Sequence, residues 1–445
     1  MKKHILVLGA GRSSSALISY LFNQTKENDW TITVGDISKP MAAERMAGQV
    51  SGCAIEFNIE DQESSRRAIA SADVVISLMP AHLHVKAARI CLTEKKHFLT
   101  ASYVSDEMKS LDTEATSKSL LFLNECGLDP GIDHMSGLQV MDRIKSTGGK
   151  ITSFESFTGG LIAPETDPEN PWRYKFTWNP RNVVMAGQGT AKFLEHGQYK
   201  FIPYQQLFLR TNEISVPGYG EFEGYGNRDS LKYMETYGLR GIETMLRGTL
   251  RNKGFCSAWN ILVQMGCCED TYQMEQVGIM THRDFFNSFL RFHPTESIEE
   301  KIASVFKLSL QGEEMKKFRW SGFFTDELVG LASGTPAQIL EHILHKKWKL
   351  KSADKDLIVM WHRFLYSHNG IQKEVQAYLT ATGENETTTA MAKTVGLPLG
   401  IATKLLLQEK IKSRGVVIPV AKEFYDPILK ELKSLGISLV EREIC

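Results

Sequence analysis

The chain has 445 residues, which is enough for two or three domains with cores of their own. Its 52 basic and 52 acidic residues balance, so charge gives no reason to expect nucleic acid or a membrane surface as a partner. No apolar run approaches the roughly 20 residues that span a bilayer. The 7 cysteines form no C-x-x-C pair, which indicates reduced thiols and a cytoplasmic protein. The pairs His82 with His84 and His342 with His345 favour surface or helix-face residues, so we expect no metal.

The first predicted elements are a strand, a glycine turn and a helix. The apolar residues 5–8 predict a strand buried on both faces, as at the centre of a parallel sheet. Gly9 and Gly11 follow, and they would let the backbone turn tightly beside a pyrophosphate. A helix beginning near Ser13 would point its free N–H groups at those phosphates. Ser14 stands where the usual pattern has a third glycine, and a small residue there still permits helix–strand packing.

A second strand is predicted over residues 31–36 and ends in Asp36. A carboxylate at this strand tip binds the ribose hydroxyls of adenosine and repels the additional phosphate of NADP. We therefore expect a dinucleotide-binding domain that prefers NAD. Arg12 in the glycine turn could still meet that phosphate, so NADP stays open as the alternative.

Strand and helix continue to alternate along the chain. Further strands are predicted at residues 53–57, 72–78, 97–100 and 119–124. Repeated units at this spacing predict a doubly wound parallel sheet. Ligands bind at the carboxyl ends of such strands, so the loops at 77–80, 101–103 and 125–130 should face the cofactor. Adenine is expected near Asn58 and Ile59.

The composition changes from about residue 151, where glycine, proline and aromatic residues become frequent. Alternating stretches such as residues 199–209 predict a mixed or antiparallel sheet. Residues 271–348 are mostly helical in pattern. Residues 391–412 predict an amphipathic helix that is interrupted at 396–398 by glycine and proline.

The loop over residues 124–134 is dense in turn formers and ionisable groups. Asp129 precedes a proline, which holds it extended, and we favour a functional role for it. Asp133 falls in the first turn of the next helix, where a carboxylate interacts favourably with the dipole, and we interpret it as a cap. Tyr103 ends the preceding unit and is equally compatible with packed core and with an active-site hydroxyl.

Arginines form the third group of candidate functional residues. Arg228, Arg247 and Arg251 lie in the second half of the chain. The planar guanidinium suits bidentate binding of carboxylates. Several arginines near a nicotinamide would imply a substrate with more than one carboxylate, but surface salt bridges would account for them equally well.

Seven segments are informative when they are taken together. They are V-I-S-L-M-P (75–80), K-K-H-F-L-T-A-S-Y-V-S (95–105), N-E-C-G-L-D-P-G-I-D-H (124–134), G-G-K-I-T-S-F-E-S-F-T-G-G-L-I-A-P (148–164), Y-K-F-T-W (174–178), N-R-D-S (227–230) and R-G-T-L-R (247–251). Together they resemble the saccharopine dehydrogenase (saccharopine reductase) family, in its glutamate-forming branch.

The resemblance implies an α/β fold: a Rossmann doubly wound parallel sheet plus an α+β substrate and dimerisation domain with a helical insert. We therefore expect the Rossmann domain over residues 1–127 and the second domain over 128–390, with its insert at about 271–348. Residues 391–445 would return to the Rossmann domain. A homodimer is also implied.

The implied reaction is oxidation of saccharopine, a secondary amine with three carboxylates, to glutamate and 2-aminoadipate 6-semialdehyde. Asp129 and Tyr103 would transfer protons. The residues implied to bind substrate are Ser102, Tyr103, Asp129, Arg228, Thr249, Leu250 and Arg251. The residues expected to bind the cofactor are Gly9, Gly11, Arg12, Ser13, Ser14, Asp36, Asn58, Ile59, Ser77, Leu78, Met79, Pro80, Leu128, Asp129, Pro130 and Thr158.

Some features of the chain leave alternatives. Similar enzymes often have cysteine where this chain has Thr158, so a hydroxyl would replace a thiol in hydrogen bonding. An imine reductase similar to carboxynorspermidine dehydrogenase would need fewer arginines, because its substrate has fewer carboxylates. A dinucleotide-binding sensor without catalysis would not need Asp129 and Tyr103. Whether the reaction runs towards lysine breakdown or synthesis stays open.

Overall fold

The computed structural model describes residues 2–46, 48–49, 52–185 and 188–444. The strands are β1 Lys3–Leu8, β2 Trp30–Asp36, β3 Gly52–Glu56, β4 Val74–Ser77, β5 His97–Thr100, β6 Leu121–Leu123, β7 Lys150–Ile162, β8 Ala191–Glu195, β9 Gln198–Ile202, β10 Thr211–Val216, β11 Gly220–Gly226, β12 Thr244–Asn252, β13 Asp356–His368, β14 Ile371–Thr382, β15 Gly415–Val417 and β16 Leu439–Ile444.

The helices are α1 Ser15–Thr25, α2 Lys39–Arg45, α3 Gln62–Ala70, α4 His84–Thr93, α5 Asp106–Lys109, α6 Asp112–Ser117, α7 Ile132–Ser146, α8 Pro180–Val184, α9 Tyr204–Leu207, α10 Tyr233–Thr236, α11 Phe255–Met265, α12 His282–Asn287, α13 Ile298–Phe306, α14 Glu313–Trp320, α15 Pro336–Trp348, α16 Ala390–Leu407 and α17 Lys422–Ser434. Short 3₁₀ helices lie at Arg12–Ser14, Ala81–Leu83 and Val277–Ile279.

Contacts divide the chain into two compact units. The first comprises the residues up to Lys150 together with Leu379–Val440, and the second comprises Ile151–Tyr378 and the residues from Glu441. The first unit thus extends beyond the boundary expected at residue 127. The physical reason is that α7 packs against α17, where the Tyr425 hydroxyl donates a hydrogen bond to the carboxylate of Asp142.

The first unit is built on a parallel sheet with strand order β15-β6-β5-β4-β1-β2-β3. Each neighbouring pair is parallel. The apolar residues Ile5, Leu6, Val7 and Leu8 are fully buried, as a central strand covered on both faces requires. The predicted doubly wound sheet is therefore confirmed, and its outermost strand β15 comes from the C-terminal part of the chain.

Helix α16 runs without interruption, so the break expected at 396–398 was wrong. Its glycines are contact points with α1: a Cβ on Gly396 would lie 2.7 Å from the amide nitrogen of Leu17, and one on Gly400 would lie 2.5 Å from Cδ1 of Tyr20. The helix is long and apolar enough to cross a membrane by length and composition. However, 72% of that stretch is buried inside the fold, as is expected of a core helix.

The second unit contains a mixed sheet with the order β10-β11-β12-β7-β13-β14-β16, and β8 pairs with β12 and β9. Strands β7 and β12 are parallel to each other, whereas β11 is antiparallel to both β10 and β12. The predicted α+β character is confirmed. The alternating stretch at 199–209 forms only one strand, because Pro203 precedes the short helix α9.

The segment expected to be helical contains α12 to α15. Three of these helices begin at capping boxes in which the side chain of the N-cap residue accepts a backbone N–H; the N-cap residues are Thr281, Ser297 and Thr335. In the core of the unit, Trp172 packs edge-on against Trp348 and Trp259, with ring centroids 5.3 and 6.2 Å apart.

A buried cation lies in the segment that joins β7 to α8. The ammonium of Lys175 is inaccessible to solvent and lies 2.8 Å from Oδ2 of Asp167 and 2.7 Å from Oδ2 of Asp354. The backbone N–H of Lys351 also donates to Asp354, at 2.7 Å. A buried ammonium requires such pairing because its desolvation is costly.

Candidate active site

The glycine turn after β1 is shaped for close approach. Gly9 has φ +99°, and a Cβ there would lie 2.9 Å from the carbonyl carbon and oxygen of Leu78, so only glycine fits. At Gly11 a Cβ would meet no atom within 4 Å, which leaves open space beside the turn. The Ser14 hydroxyl donates to the carbonyl of Gly11 at 2.7 Å.

The helix that follows this turn begins without a side-chain cap. A 3₁₀ turn at Arg12–Ser14 leads into α1, and neither Gly11 nor Ser14 caps the helix with a side-chain hydrogen bond. Ser13 is partly buried and Arg12 is exposed. Uncapped N–H groups at a helix start favour phosphate. The turn therefore fits the pyrophosphate of a dinucleotide.

Asp36 is held by the backbone around the turn. Its Oδ2 accepts the N–H of Ala10 at 2.7 Å, and its Oδ1 accepts the N–H of Ser38 at 2.9 Å. Nearby, Nε of Arg45 donates to the carbonyl of Ala10 at 3.2 Å, which places a guanidinium beside the same turn. The carboxylate therefore stabilises the turn, and a cation lies close to it.

The two residues expected near adenine differ in exposure. Asn58 is exposed, and its Oδ1 accepts the N–H of Glu60 at 3.0 Å. Ile59 is only 6% exposed and packs in the core of the first unit. Asn58 thus has a side chain accessible to a ligand, whereas that of Ile59 is mostly enclosed.

At the end of β4, a histidine links two strand ends. Ser77 is buried, and its Oγ lies 2.8 Å from Nδ1 of His84. On the other side of the ring, Nε2 lies 2.7 Å from Oγ of Ser102. Burial lowers the pKa of His84 to about 4, with His82 contributing further. The sequence predicted a surface or helix-face residue: His84 is the first residue of α4, but it is buried and not at the surface.

The other residues of the 77–80 loop lie at the rim of the sheet. Leu78 and Met79 are partly buried, and Pro80 is exposed. The N–H of Leu78 donates to the carbonyl of Leu8 at 2.7 Å. This bond joins the loop to the end of β1, where the glycine turn begins.

Tyr103 and Asp129 are brought together. The Tyr103 hydroxyl donates to Oδ1 of Asp129 at 3.1 Å, and both residues are partly buried. The pairing follows from the sheet: β5 and β6 are parallel neighbours, so the loops after them lie side by side. Leu128 and Pro130, on either side of Asp129, are buried. The peptide bond between Asp129 and Pro130 is cis.

A buried ionisable pair supports these two loops. Oε1 of Glu125 accepts the N–H of Val104 at 3.0 Å, and its Oε2 lies 2.9 Å from Nε2 of His134. Both side chains are almost fully buried. Oδ1 of Asp133 accepts the N–H of Gly131 at 2.6 Å, consistent with the expected capping role. The sequence did not single out Glu125 or His134, although they lie in its densest ionisable segment.

The second unit contains a buried guanidinium without a carboxylate partner. Arg251, on β12, is 3% exposed and forms no salt bridge within the part of the chain that the structure describes. Its Nη1 donates to the carbonyl of Leu250 at 3.1 Å, and its Nε has no hydrogen-bond partner. The guanidinium lies 5.1 and 5.3 Å from the ring centroids of Tyr174 and Phe255.

Some buried hydroxyl groups of the second unit also lack hydrogen-bond partners. The buried Oγ1 of Thr158 and the hydroxyls of Tyr174 and Tyr225 have no hydrogen-bond partner. Burial raises the pKa of Tyr225 to about 12, so its hydroxyl stays a donor at neutral pH. Tyr225, Thr249 and Thr158 are register partners across β11, β12 and β7. Buried cations and donors without partners favour an anion.

The other arginines and predicted substrate-binding residues of this unit differ in their exposure and contacts. Arg228 is exposed, and Oγ1 of Thr249 accepts from Nδ2 of Asn227 at 2.7 Å. Leu250 is fully buried in the apolar core, so a ligand could meet only its backbone. The guanidinium of Arg247 lies 4.2 Å from the ring centroid of Tyr233. Among the described residues, no group of three or more His, Cys, Asp or Glu could hold a metal ion.

Comparison with protein families identifies both parts of this chain. Residues 5–123 match the family model described as the saccharopine dehydrogenase NADP binding domain. Residues 127–437 match the model described as the saccharopine dehydrogenase C-terminal domain. The chain belongs to the saccharopine dehydrogenase family. The family resemblance carried by the seven segments is therefore confirmed.

Individual members of the saccharopine dehydrogenase family show the same relationship. The chain is 34% identical to the mitochondrial alpha-aminoadipic semialdehyde synthase of Rattus norvegicus over 98% of its own length. It spans 47% of that relative, about half its length. It is 32% identical to the saccharopine dehydrogenase (NADP(+), L-glutamate-forming) of Saccharomyces cerevisiae, and the match covers 100% of both chains. The solved apo structure of saccharopine dehydrogenase (L-Glu forming) from Saccharomyces cerevisiae superposes with a TM-score of 0.89, at 29% identity, over 100% of each chain.

The expected preference for NAD is not supported. The matching domain model and the Saccharomyces cerevisiae relative are both named for NADP. In the structure the two carboxylate oxygens of Asp36 accept the backbone N–H groups of Ala10 and Ser38. Its charge is thus partly neutralised by the turn instead of facing a ribose phosphate alone.

Proposed function

We propose that this member of the saccharopine dehydrogenase family oxidises saccharopine at its CH–NH bond to L-glutamate and 2-aminoadipate 6-semialdehyde. The observation that carries the proposal is the hydrogen bond between Tyr103 and Asp129, 3.1 Å long, beside the nucleotide-binding end of the sheet. The names of the Saccharomyces cerevisiae relatives support the same reaction.

The proposed cofactor is NADP. The open turn at Gly9 and Gly11 and the uncapped start of α1 would hold the pyrophosphate. Arg12, in the glycine turn, and Arg45, which donates to the Ala10 carbonyl, are the proposed partners of the additional ribose phosphate. When bound, the nicotinamide supplies a hydride acceptor.

Asp129 and Tyr103 are the proposed proton-transfer groups. The secondary amine must be neutral before hydride leaves the adjacent carbon, and hydrolysis of the resulting imine needs activated water and a proton for the departing amine. A carboxylate that accepts a tyrosine hydroxyl can take up the first proton and return it later. Asp129 is thus the proposed acid–base group, with Tyr103 orienting it.

Arg251 is the proposed binding group for a substrate carboxylate. Its buried guanidinium has an unpartnered Nε, and the hydroxyls of Tyr174 and Tyr225 provide two further donors. An incoming carboxylate would neutralise the buried charge and satisfy these groups together. Arg228, which is exposed, is the proposed partner of a second carboxylate.

Absorbance at 340 nm tests the proposal. Purified protein should reduce NADP in the presence of saccharopine at mildly alkaline pH, and NAD should serve less well. Asp129→Asn should lower kcat by about 100-fold or more, because general acid–base catalysis contributes about that much. Arg251→Met should instead raise KM by about tenfold, since it removes a charged hydrogen-bond donor.

Arg240→Met is the matched control for Arg251→Met. Its side chain is 80% exposed in the same unit, so kinetic constants should be unchanged. Absence of saccharopine oxidation by a protein that binds NADP would contradict the proposed reaction. An unchanged kcat in Asp129→Asn would contradict the role of Asp129 alone.

We further propose a homodimer that works in the cytoplasm. The six described cysteines are free thiols, as in a reducing compartment. The relative from Rattus norvegicus is named mitochondrial, which makes cell fractionation the appropriate test of location. Sedimentation analysis of the purified protein tests the dimer.

A further inference from the structure

The imidazole of His84 lies between the carboxyl ends of β4 and β5 and forms a hydrogen bond to a serine at each end. Ser77 is the last residue of β4, and Ser102 lies just after β5. The two strands pair in parallel, so their ends lie side by side. Nδ1 of His84 is 2.8 Å from Oγ of Ser77, and Nε2 is 2.7 Å from Oγ of Ser102.

The ring is neutral, because burial keeps its pKa near 4. A neutral imidazole has one donor and one acceptor nitrogen. If Nδ1 donates to Ser77, then Nε2 must accept the proton of Ser102, and in the other tautomer both directions reverse. The ring therefore couples the two hydroxyls: the orientation of one decides whether the other is a donor or an acceptor.

Thr100 completes the support of Ser102. Its Oγ1 accepts the backbone N–H of Ser102 at 3.3 Å and lies 3.3 Å from Nε2 of His84. Thr100 thus contacts both the backbone N–H of Ser102 and the imidazole that binds the Ser102 hydroxyl. The hydroxyl keeps a hydrogen-bonding capacity beyond its bond to His84, since a hydroxyl has one donor and two acceptor positions.

We propose that His84 is a positioning residue that holds the Ser102 hydroxyl in the orientation needed to bind the substrate beside Tyr103 and Asp129. This inference rests on the proposed oxidation of saccharopine. It adds a residue that acts through another one: His84 orients Ser102, and Ser102 meets the substrate. Through the same ring, the orientation of the Ser77 hydroxyl at the nucleotide-binding end of the sheet is coupled to that of Ser102.

A double-mutant cycle tests this inference. His84→Asn retains a polar group near the Nδ1 position but is too short to reach Ser102, whereas His84→Gln can place its amide near the Nε2 position. His84→Asn and Ser102→Ala should each lower kcat/KM for saccharopine by about five- to tenfold, in line with one lost hydrogen bond. The double variant should be no worse than Ser102→Ala alone. His84→Gln should recover activity to within about threefold of the wild type.

His97 provides the matched control. It lies in the same unit, and its Nδ1 accepts the backbone N–H of Leu121 at 2.9 Å, with no contact to Ser102. His97→Asn combined with Ser102→Ala should therefore give the product of the two single effects. The melting temperature of every variant shows whether it is folded at the assay temperature, and denaturant unfolding of the His84 and Ser102 variants measures their coupling independently of activity.

The possible outcomes separate the two proposals. Multiplicative effects of His84→Asn and Ser102→Ala, in an enzyme that oxidises saccharopine, would overturn the positioning role. A His84→Gln variant that is as impaired as His84→Asn would overturn it as well. A wild-type protein inactive on saccharopine would overturn the proposed function and the role of His84 in it, even if unfolding shows that the two residues are coupled.

Discussion

Replacing Lys175 by methionine tests the energetics of the buried cation in the second unit. Methionine keeps the apolar stem but removes the ammonium that lies 2.8 Å from Asp167 and 2.7 Å from Asp354. Two hydrogen bonds to charged groups contribute about 1.5–3 kcal/mol each, and breaking a buried ion pair costs about 3–5 kcal/mol. The two carboxylates keep 21% and 12% of their side-chain surface exposed, so water stabilises them in part. We therefore expect a loss at the lower end, about 3 kcal/mol.

Guanidinium unfolding followed by tryptophan fluorescence measures this loss. Of the 7 tryptophans in the chain, Trp30 lies in the first unit and the others in the second, so the signal reports mainly on the unit that contains Lys175. Lys355→Met is the matched control, because Lys355 lies 3.8 Å from Glu165 with both side chains largely exposed. An exposed pair contributes about 0–1 kcal/mol, so the control should unfold almost as the wild type does.

Comparing the loss of stability in Lys175→Met with that in Lys355→Met tests the effect of burial on an ion pair. A loss below about 1 kcal/mol in Lys175→Met, or a loss equal to that of Lys355→Met, would refute the reasoning that burial makes the Lys175 pairs strong. If the free energy of unfolding changed only in its slope against guanidinium concentration, with the unfolding midpoint unchanged, the variant would have an altered unfolded state instead.

Other predictions concern acid stability, the glycine turn and the thiols. Burial lowers the pKa of His97 to about 4, so the unfolded chain takes up a proton first as the pH falls below about 6.5. His97 should therefore lower stability by up to about 3 kcal/mol between pH 6.5 and 4; His97→Gln should remove this contribution in denaturant titrations, while that of His84 remains. Gly9→Ala should weaken NADPH binding at least tenfold in fluorescence titrations, because the added Cβ lies 2.9 Å from the Leu78 carbonyl, whereas Gly48→Ala, with φ +75° but open space, should leave binding unchanged. Cys53, which is exposed, should react rapidly with a disulfide reagent, and Cys53→Ser should reduce that phase by one thiol, because the other described cysteines are buried.

The sequence predicted the local elements of the first unit well. The buried strand β1, the strand ending at Asp36 and the strand β5 at His97–Thr100 all depend on short-range patterns. It misjudged α16 because Gly396 and Pro398 usually interrupt helices. In this fold the glycine is needed for the close packing of α16 on α1, a contact between distant segments that no local pattern contains.

In the candidate site, too, features that follow from local patterns could be predicted, and features that depend on contacts between distant segments could not. The pairing of Tyr103 with Asp129 could be predicted, because both follow neighbouring strands of a parallel sheet. The roles of Asp36 and His84 could not, because each depends on which backbone or hydroxyl groups lie opposite in the folded chain. A carboxylate or an imidazole has the same letter in the sequence whether it faces a ligand, water or its own turn.

The pairing of β15 with β6 has a consequence for the order in which the protein matures on the ribosome. β6 leaves the tunnel before Ile151–Tyr378, whereas its partner β15 is synthesised only after the whole of that segment. Until then, the peptide groups of Leu121–Leu123 lack a hydrogen-bonding neighbour on that side of the sheet, and their side chains are apolar residues that the finished fold buries completely. The nascent first unit therefore has an unpaired strand edge until β15 has been synthesised, and this unit is completed only after the chain of the second unit has left the tunnel.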